Sequence, residues 1–177
     1  YSHDRKGNAI EIPEGCDNAI VMGIRMDPDA IRESPNFDAC TETALGYSRM
    51  AFCIACLSEF IRSLGYRAIP MGNDTALSIP LALDAGLGEL GRNGLLVTPE
   101  HGPCQRICKV FTDLPREADE PRTSGVAEYC RGCRRCAEAC EAEAISTEME
   151  PSFDTVCPSN NPGTLKWAVN QDKCYKF

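Results

Sequence analysis

Apolar residues between positions 38 and 64 recur every three or four residues, which is the spacing of one face of an α-helix. The apolar stripe consists of Met50, Ile54, Leu57, Ile61 and Leu64, and the opposite face consists of Glu59, Arg62 and Ser63. Gly65 follows as a C-terminal cap. Tyr47 lies three residues before Met50, so the pattern predicts that Tyr47 faces inward.

Four shorter apolar runs predict β-strands, because each is too short for a stable helix and lies close to turn-forming residues. They are residues 19–26, 67–71, 95–98 and 106–111. Together with the long helix, they predict an α+β fold, and we expect the strands to form a mixed sheet.

Composition changes sharply at residues 115–125, which contain two prolines, many charges and no apolar run. Such a stretch is typical of a linker. The sequence therefore predicts a first domain at 1–114, a linker at 115–127 and a small cysteine-rich domain at 128–177.

Glycine is concentrated between residues 72 and 102, which hold six of the chain's fourteen glycines. Gly86, Gly88 and Gly91 match the dinucleotide-binding pattern GxGxxG literally, but Gly94 interrupts the segment where that motif requires a long helix. A nucleotide cofactor is therefore not expected. Instead, the density predicts that the backbone passes close to something bulky, and we expect these three glycines to contact a cofactor.

Charge and hydropathy exclude several classes of partner. The formal net charge is −8 and the sequence pI is about 4.8, so a nucleic acid or an anionic membrane surface would be repelled. The sequence has no run of eighteen apolar residues, which argues against a membrane-spanning segment. The first ten residues, YSHDRKGNAI, show neither a signal-peptide apolar block nor a twin-arginine pair.

Four cysteines lie close together in YCRGCRRCAEAC, at Cys130, Cys133, Cys136 and Cys140. The spacing CxxCxxCxxxC is that of bacterial ferredoxins, in which the fourth cysteine ligates a second cluster. Structural zinc instead prefers two separated CxxC pairs. The run therefore predicts iron–sulfur ligation, and Cys174 is the best downstream candidate for a second cluster with Cys140. Glu141 replaces the proline that usually follows the fourth cysteine.

Two four-iron clusters need eight thiolates, and the run with Cys174 supplies five. We expect the other ligands beyond Phe177, in a longer protein of which this sequence is a piece. Cys157 is a weaker candidate in a loop-like setting. The remaining cysteines are expected to be buried thiols: Cys16, Cys40, Cys53, Cys56, Cys104 and Cys108.

Several long phrases resemble the corrinoid- and iron–sulfur-dependent reductive dehalogenases. They are FIRSLGYRAIPMGND (60–74), SIPLALDAGLGELGRNGLLVTPEHGP (78–103), RICKVFTDLP (106–115), the cysteine run and NNPGTLKWAVNQDKCYKF (160–177). The resemblance extends from about Thr43 to the end of the chain. It implies a nitroreductase-like cobalamin-binding core followed by a ferredoxin-like domain with two [4Fe–4S] clusters.

The resemblance also implies roles for individual residues. Tyr47 matches the catalytic tyrosine, Asn73 an active-site asparagine and Arg106 the arginine that precedes the KVFTDLP phrase. Thr43 matches a further position that lines the same pocket. In this interpretation Tyr47 donates a proton, since a neighbouring cation such as Arg106 stabilises the phenolate left behind.

The implied cofactors are a base-off corrinoid and two [4Fe–4S] clusters; ligands of one cluster are Cys130, Cys133 and Cys136, and ligands of the other are Cys140 and Cys174. The implied partners are an organohalide substrate, an electron donor protein or membrane quinol system, and a membrane-anchor subunit. The resemblance favours an exported, membrane-associated protein, with a cytoplasmic location as the alternative.

Two other functions remain open at this point. An epoxyqueuosine reductase-like enzyme also combines a corrinoid with paired clusters, but it acts on a tRNA base, for which an acidic chain is unsuited. A ferredoxin-type electron-transfer module explains the cysteines but leaves more than a hundred preceding residues without a role.

Overall fold

The structure is a computed structural model that describes residues 8, 11–73 and 76–177. The described residues form two compact units: the first lies within residues 1–87 and 100–122, and the second comprises residues 88–99 and 123–177. In chain order the elements are β1 (Asn18–Arg25), α1 (Pro28–Arg32), α2 (Phe37–Ser63), β2 (Ala68–Met71), α3 (Ser78–Asp84), β3 (Glu89–Leu90), β4 (Leu96–Val97), β5 (Gln105–Thr112), α4 (Val126–Gly132), α5 (Arg135–Glu138) and α6 (Gln171–Lys176).

The first unit contains a three-stranded sheet in the order β1-β5-β2. Strand β5 lies in the centre and pairs antiparallel with both neighbours, with Ile24 opposite Arg106 and Met71 opposite Lys109. The predicted strands at 19–26, 67–71 and 106–111 are therefore confirmed, but the prediction of a mixed sheet is wrong. The segment at 95–98 also lies outside this sheet, because β4 pairs with β3 in a separate hairpin.

Helix α2 covers one face of the sheet, as its periodicity predicts. Met50, Ile54 and Ile61 form a core cluster with Cys108 and Val110 of β5. The helix ends at Ser63, and the following turn places Gly65 at a φ of 91°. Glycine reaches this left-handed region without the steric clash that a Cβ would cause, which explains why the helix stops there.

Among the described residues, α2 is the one helix that is long and apolar enough to cross a membrane by length and composition. Polar residues interrupt this helix, so the sequence contains no unbroken apolar run there. A core helix has the same length and composition, and the placement of Met50, Ile54 and Ile61 against the sheet shows that α2 has this role in the unit.

The six cysteines that the sequence predicts to be buried differ in their exposure. Cys16 and Cys108 are buried, whereas Cys40 and Cys56 are exposed, so for the latter pair the prediction is wrong. Cys53 and Cys104 have intermediate exposure. Cys56 is exposed because it follows the core residue Ile54 by two positions, and a two-residue step turns a helix by about 200°.

Cys108 is expected to resist alkylation in the native protein. Its burial, and after it the charge of Cys53, raises the pKa of the thiol to about 11 against the opposing effect of Lys109. At pH 8 only about one thousandth of Cys108 is then thiolate, which is the reactive form. Mass spectrometry after iodoacetamide treatment should find Cys108 modified only after unfolding, with Cys40 as the reactive internal standard. Rapid native labelling of Cys108 would contradict this assignment of burial.

The second unit includes residues 88–99, which the sequence placed in the first domain. The carboxylate of Glu89 accepts hydrogen bonds from the backbone N–H groups of Ser124 and Val126, where α4 begins. Burial opposes ionisation of Glu89, but the hydrogen bonds from Ser124 and its neighbours outweigh it and lower the pKa. These long-range contacts, invisible in the local pattern, explain why the β3-β4 hairpin packs with the cysteine-rich segment.

Candidate functional site

Tyr47, Asn73 and Arg106 meet at one hydroxyl group. The Asn73 side-chain amide donates a hydrogen bond to Tyr47 Oη at 2.7 Å, and Arg106 Nη1 donates to the same oxygen at 3.4 Å. The Arg106 guanidinium carbon also lies 4.4 Å from the centre of the Tyr47 ring, which adds a cation–π contact. The three residues that the sequence resemblance singled out thus form one contiguous cluster.

Three different elements supply this cluster. Tyr47 is on α2, Arg106 is on β5, and Asn73 lies two residues after the end of β2. The packing of α2 on the sheet brings Tyr47 and Arg106 together across 59 residues of sequence. Tyr47 remains 37% exposed, so its predicted inward orientation holds only in part.

The hydrogen bonds from Asn73 and Arg106 do not use the proton of the Tyr47 hydroxyl. Both Asn73 and Arg106 act as donors, so the phenolic oxygen accepts twice and its own hydrogen stays available for another acceptor. Donors directed at an oxygen stabilise the charge that forms there when the proton leaves. This arrangement is compatible with general acid chemistry.

Arg106 also has one N–H group that takes no part in the cluster. Its Nε atom is buried and has no hydrogen-bond partner among the residues that the structure describes. A buried N–H group without a partner is uncommon in a native protein, and this one is also closed to solvent.

Thr43 lies on α2 one helical turn before Tyr47 and is partly buried. Its neighbour Glu42 was not singled out by the sequence, yet Glu42 is 7% exposed. The Glu42 carboxylate accepts hydrogen bonds from the backbone of Asp27 and from Arg49. Glu42 thus ties α2 to Asp27, the N-cap residue of α1, and nothing in the local pattern marks that role.

The glycine-rich stretch approaches the chain's own backbone. A Cβ at Gly86 would collide with the Glu120 carbonyl, and a Cβ at Gly88 would collide with the Val97 carbonyl. Gly91 is crowded by the side chains of Asn93 and Val97. The need for glycine therefore follows from packing within each unit, and cofactor contacts by Gly86, Gly88 and Gly91 stay a prediction.

Two members of the cysteine run border one cavity. Cys130 and Cys136 line a space of about 490 Å³, many times the roughly 30 Å³ that one water molecule occupies. Burial raises the pKa of the Cys136 thiol, and the charge of nearby Cys130 raises it further. Cys133 ends α4 between them. Cysteine side chains that border such a cavity match the ligand type of an iron–sulfur cluster, which they bind as thiolates.

Cys140 borders a second cavity, of about 830 Å³, together with Asn170 and Lys173. The backbone N–H of Ala144 donates a hydrogen bond to the Cys140 sulfur at 3.4 Å. Cys174 lies on α6 and is exposed. Within the described ranges, no three Cys, His, Asp or Glu side chains are already arranged to hold a metal ion.

The second unit contains a buried cation that the sequence did not predict. Arg92 is 1% exposed and donates hydrogen bonds to the backbone carbonyls of Cys130, Ser146 and Glu148. Its guanidinium carbon lies 4.6 Å from the centre of the Trp167 ring. Arg92 thus ties the first cysteine of the run to two later segments. In the sequence, the one feature that could have indicated this role is the position of an arginine between the glycines of ELGRNG.

Comparisons with known proteins agree on one family of enzymes. The chain is 46% identical over 163 residues to a tetrachloroethene reductive dehalogenase of Desulfitobacterium hafniense, which covers 90% of this chain and 30% of the relative. A solved reductive dehalogenase structure, described as suggesting a mechanism for B12-dependent dehalogenation, matches with a TM-score of 0.79 and 28% identity. That match covers 89% of this chain and 22% of the solved one.

A weaker relative is an epoxyqueuosine reductase of Lactococcus garvieae, which is 36% identical over 69 residues, or 39% of this chain. No family model matches the sequence. The chain spans about a third of the length of the curated dehalogenases that it matches. The similarity therefore extends over most of this chain but over a minority of each relative.

Proposed function

We propose that this chain, which is a homologue of the reductive dehalogenases, is part of an oxidoreductase that replaces a halogen of an organohalide by hydrogen. The reaction combines R–X with two electrons and one proton to give R–H and a halide ion. The observation that carries the proposal is the Tyr47 hydroxyl, whose oxygen accepts hydrogen bonds from both Asn73 and Arg106.

In this proposal Tyr47 is the proton donor. The proton passes from Tyr47 Oη to the carbon that loses the halogen, and the phenolate is held by the amide of Asn73 and the cation of Arg106. The positive charge of Arg106, whose guanidinium carbon lies 4.4 Å from the centre of the Tyr47 ring, would also attract the departing halide in the pocket. Thr43 would line the same pocket.

The cofactors of the proposed enzyme are a base-off corrinoid and two [4Fe–4S] clusters. A bound corrinoid supplies the electron transfer from cobalt that breaks the carbon–halogen bond. Gly86, Gly88 and Gly91 are the proposed corrinoid contacts. The cavity beside Cys130 and Cys136 supports one cluster site, with Cys133 as its third ligand. The cavity beside Cys140 supports the other, with Cys174 as a further ligand.

The proposed domain roles follow from the same assignment. The first unit is a nitroreductase-like corrinoid-binding core, and the second is ferredoxin-like. Electrons come from a donor protein or from a membrane quinol system, with a membrane-anchor subunit as the proposed partner. The proposed location is outside the cytoplasmic membrane and attached to it.

An epoxyqueuosine reductase-like activity is the second candidate, because part of this chain is similar to such an enzyme. That enzyme class acts on a tRNA base, and a polyanionic substrate requires a basic surface. The formal net charge of −8 therefore favours a small organohalide instead.

The test is anaerobic reconstitution of the holoenzyme with cobalamin, iron and sulfide. We expect it to release chloride from tetrachloroethene with reduced methyl viologen as the electron source, and to leave an epoxyqueuosine-containing tRNA stem-loop unchanged. Ion chromatography and gas chromatography measure the two products of dehalogenation. A holoenzyme that retains all cofactors but reduces the tRNA base, and none of a panel of chlorinated and brominated substrates, would reverse the assignment.

A further inference from the structure

Lys109 is completely buried although it carries an ammonium group. Its exposed fraction is 0%. The Nζ atom donates hydrogen bonds to the carbonyls of Gly72 and Ala76, both at 2.8 Å, and to the Ser78 hydroxyl at 2.9 Å. Burying a cation is unfavourable unless its donors are satisfied, so these contacts are required for Lys109 to occupy this position.

These acceptors belong to the segment that holds Asn73. Strand β2 ends at Met71, directly opposite Lys109 in the sheet. The chain then leaves the sheet, and Lys109 bonds to the first residue after the strand and to the start of α3. Gly72 is the immediate neighbour of Asn73, so the carbonyl that accepts from Lys109 belongs to the peptide unit that joins Gly72 to Asn73.

Strand β5 thus acts on the Tyr47 hydroxyl in two ways, directly through Arg106 and indirectly through Lys109 and Asn73. Arg106 and Lys109 are three residues apart, and an odd spacing places their side chains on opposite faces of a strand. Arg106 donates to Tyr47 directly on the face that α2 covers. On the other face, Lys109 holds the backbone from which Asn73 extends to the same hydroxyl.

We propose that Lys109 is a positioning residue that fixes Asn73 in hydrogen-bonding contact with Tyr47. Its catalytic consequence rests on the proposed dehalogenase function, whereas the positioning itself does not. A connecting segment such as the one between β2 and α3 keeps a fixed position only where it is bonded to a rigid element, which serves as its anchor. Lys109 provides that anchor from the central strand of the sheet, which is paired on both sides.

The test is a double-mutant cycle in the holoenzyme with Lys109→Met and Asn73→Ala. Methionine keeps most of the length of lysine and removes its donors. The readout is the 19F NMR signal of Tyr47 in protein labelled with 3-fluorotyrosine, assigned by its loss in Tyr47→Phe. We expect Lys109→Met to move this signal in the same direction as Asn73→Ala, and to add no further shift when Asn73 is already alanine.

Other outcomes of the NMR cycle overturn the inference. An unmoved Tyr47 signal in Lys109→Met means that Asn73 does not depend on Lys109. A shift of equal size in the Asn73→Ala background means that Lys109 affects Tyr47 through general loosening of the unit. If Lys109→Met fails to fold, Lys109→Arg enters the same cycle, since it keeps the charge but changes the position of the donors.

Dehalogenation rates separate this inference from the proposed function. We expect Lys109→Met to lower kcat by about tenfold, the effect of one misplaced hydrogen bond, with KM little changed. The matched control is Lys166→Met, because Lys166 also donates to backbone carbonyls, at Asn161 and Thr164 of the second unit. If the NMR cycle behaves as expected in an enzyme without dehalogenase activity, the positioning role stands and the proposed function fails.

Discussion

Replacing Tyr47 with phenylalanine is expected to lower kcat for dehalogenation by about 10²- to 10⁴-fold, the usual contribution of a general acid. Phenylalanine preserves the ring that lies against Arg106 and removes only the hydroxyl. The substrate then has to take its proton from water. Initial rates of halide release at saturating substrate measure the effect, and cobalt and iron contents show that the cofactors are retained.

Tyr66 provides the matched control for this substitution. Tyr47 and Tyr66 are both 37% exposed and both lie in the first unit, but Tyr66 is not part of the cluster with Asn73 and Arg106. Tyr66→Phe should therefore leave kcat unchanged. A Tyr47→Phe enzyme as active as Tyr66→Phe would show that the proton reaches the substrate by another route.

Replacing Arg92 with methionine is expected to destabilise the second unit by about 3 kcal/mol or more, because three carbonyls lose a charged donor and each buried acceptor left unsatisfied costs about 1–3 kcal/mol. The substitution leaves the carbonyls of Cys130, Ser146 and Glu148 without their donor and removes the contact with Trp167. Anaerobic thermal unfolding of the holoprotein, followed by tryptophan fluorescence, measures the loss. Iron content should fall as well, because Arg92 holds the backbone of a proposed cluster ligand.

Arg131 is the control for this second substitution. It follows Cys130 directly, but its side chain is 49% exposed and pairs with Glu150, which is 67% exposed. An exposed pair contributes only about 0–1 kcal/mol, so Arg131→Met should unfold almost as the unmodified protein does. Equal losses for the two variants would mean that charge near the cysteine run matters more than the buried contacts of Arg92.

Local patterns predicted the elements of the first unit better than their arrangement. The 3.6-residue periodicity around Met50, Ile54 and Ile61 located α2 to within one residue at each end. The order of the sheet could not be predicted in this way, because β5 enters between two strands that precede it by many residues. Strand pairing depends on contacts between distant segments, and apolar runs carry no information about which neighbour each strand selects.

The residues of the candidate site were likewise predicted only in part. The resemblance to reductive dehalogenases identified Tyr47, Asn73 and Arg106, whereas periodicity alone gave Tyr47 the appearance of a core residue. Lys109 and Arg92 were overlooked because their acceptors are mostly backbone carbonyls, and every residue has one. The nearest acceptor of Lys109 in sequence lies 31 residues away, so no motif links the two ends of that interaction.

The members of the Tyr47 cluster differ in how firmly the fold constrains their chain position. Tyr47 and Arg106 belong to a long helix and to the central strand, whereas Asn73 belongs to a connecting segment outside both kinds of element. Insertions and exchanges are tolerated in such segments far more readily than in packed elements. In the proposed dehalogenase, variation for a new substrate is therefore best placed in this connection, with Asn73 and the acceptors of Lys109 retained.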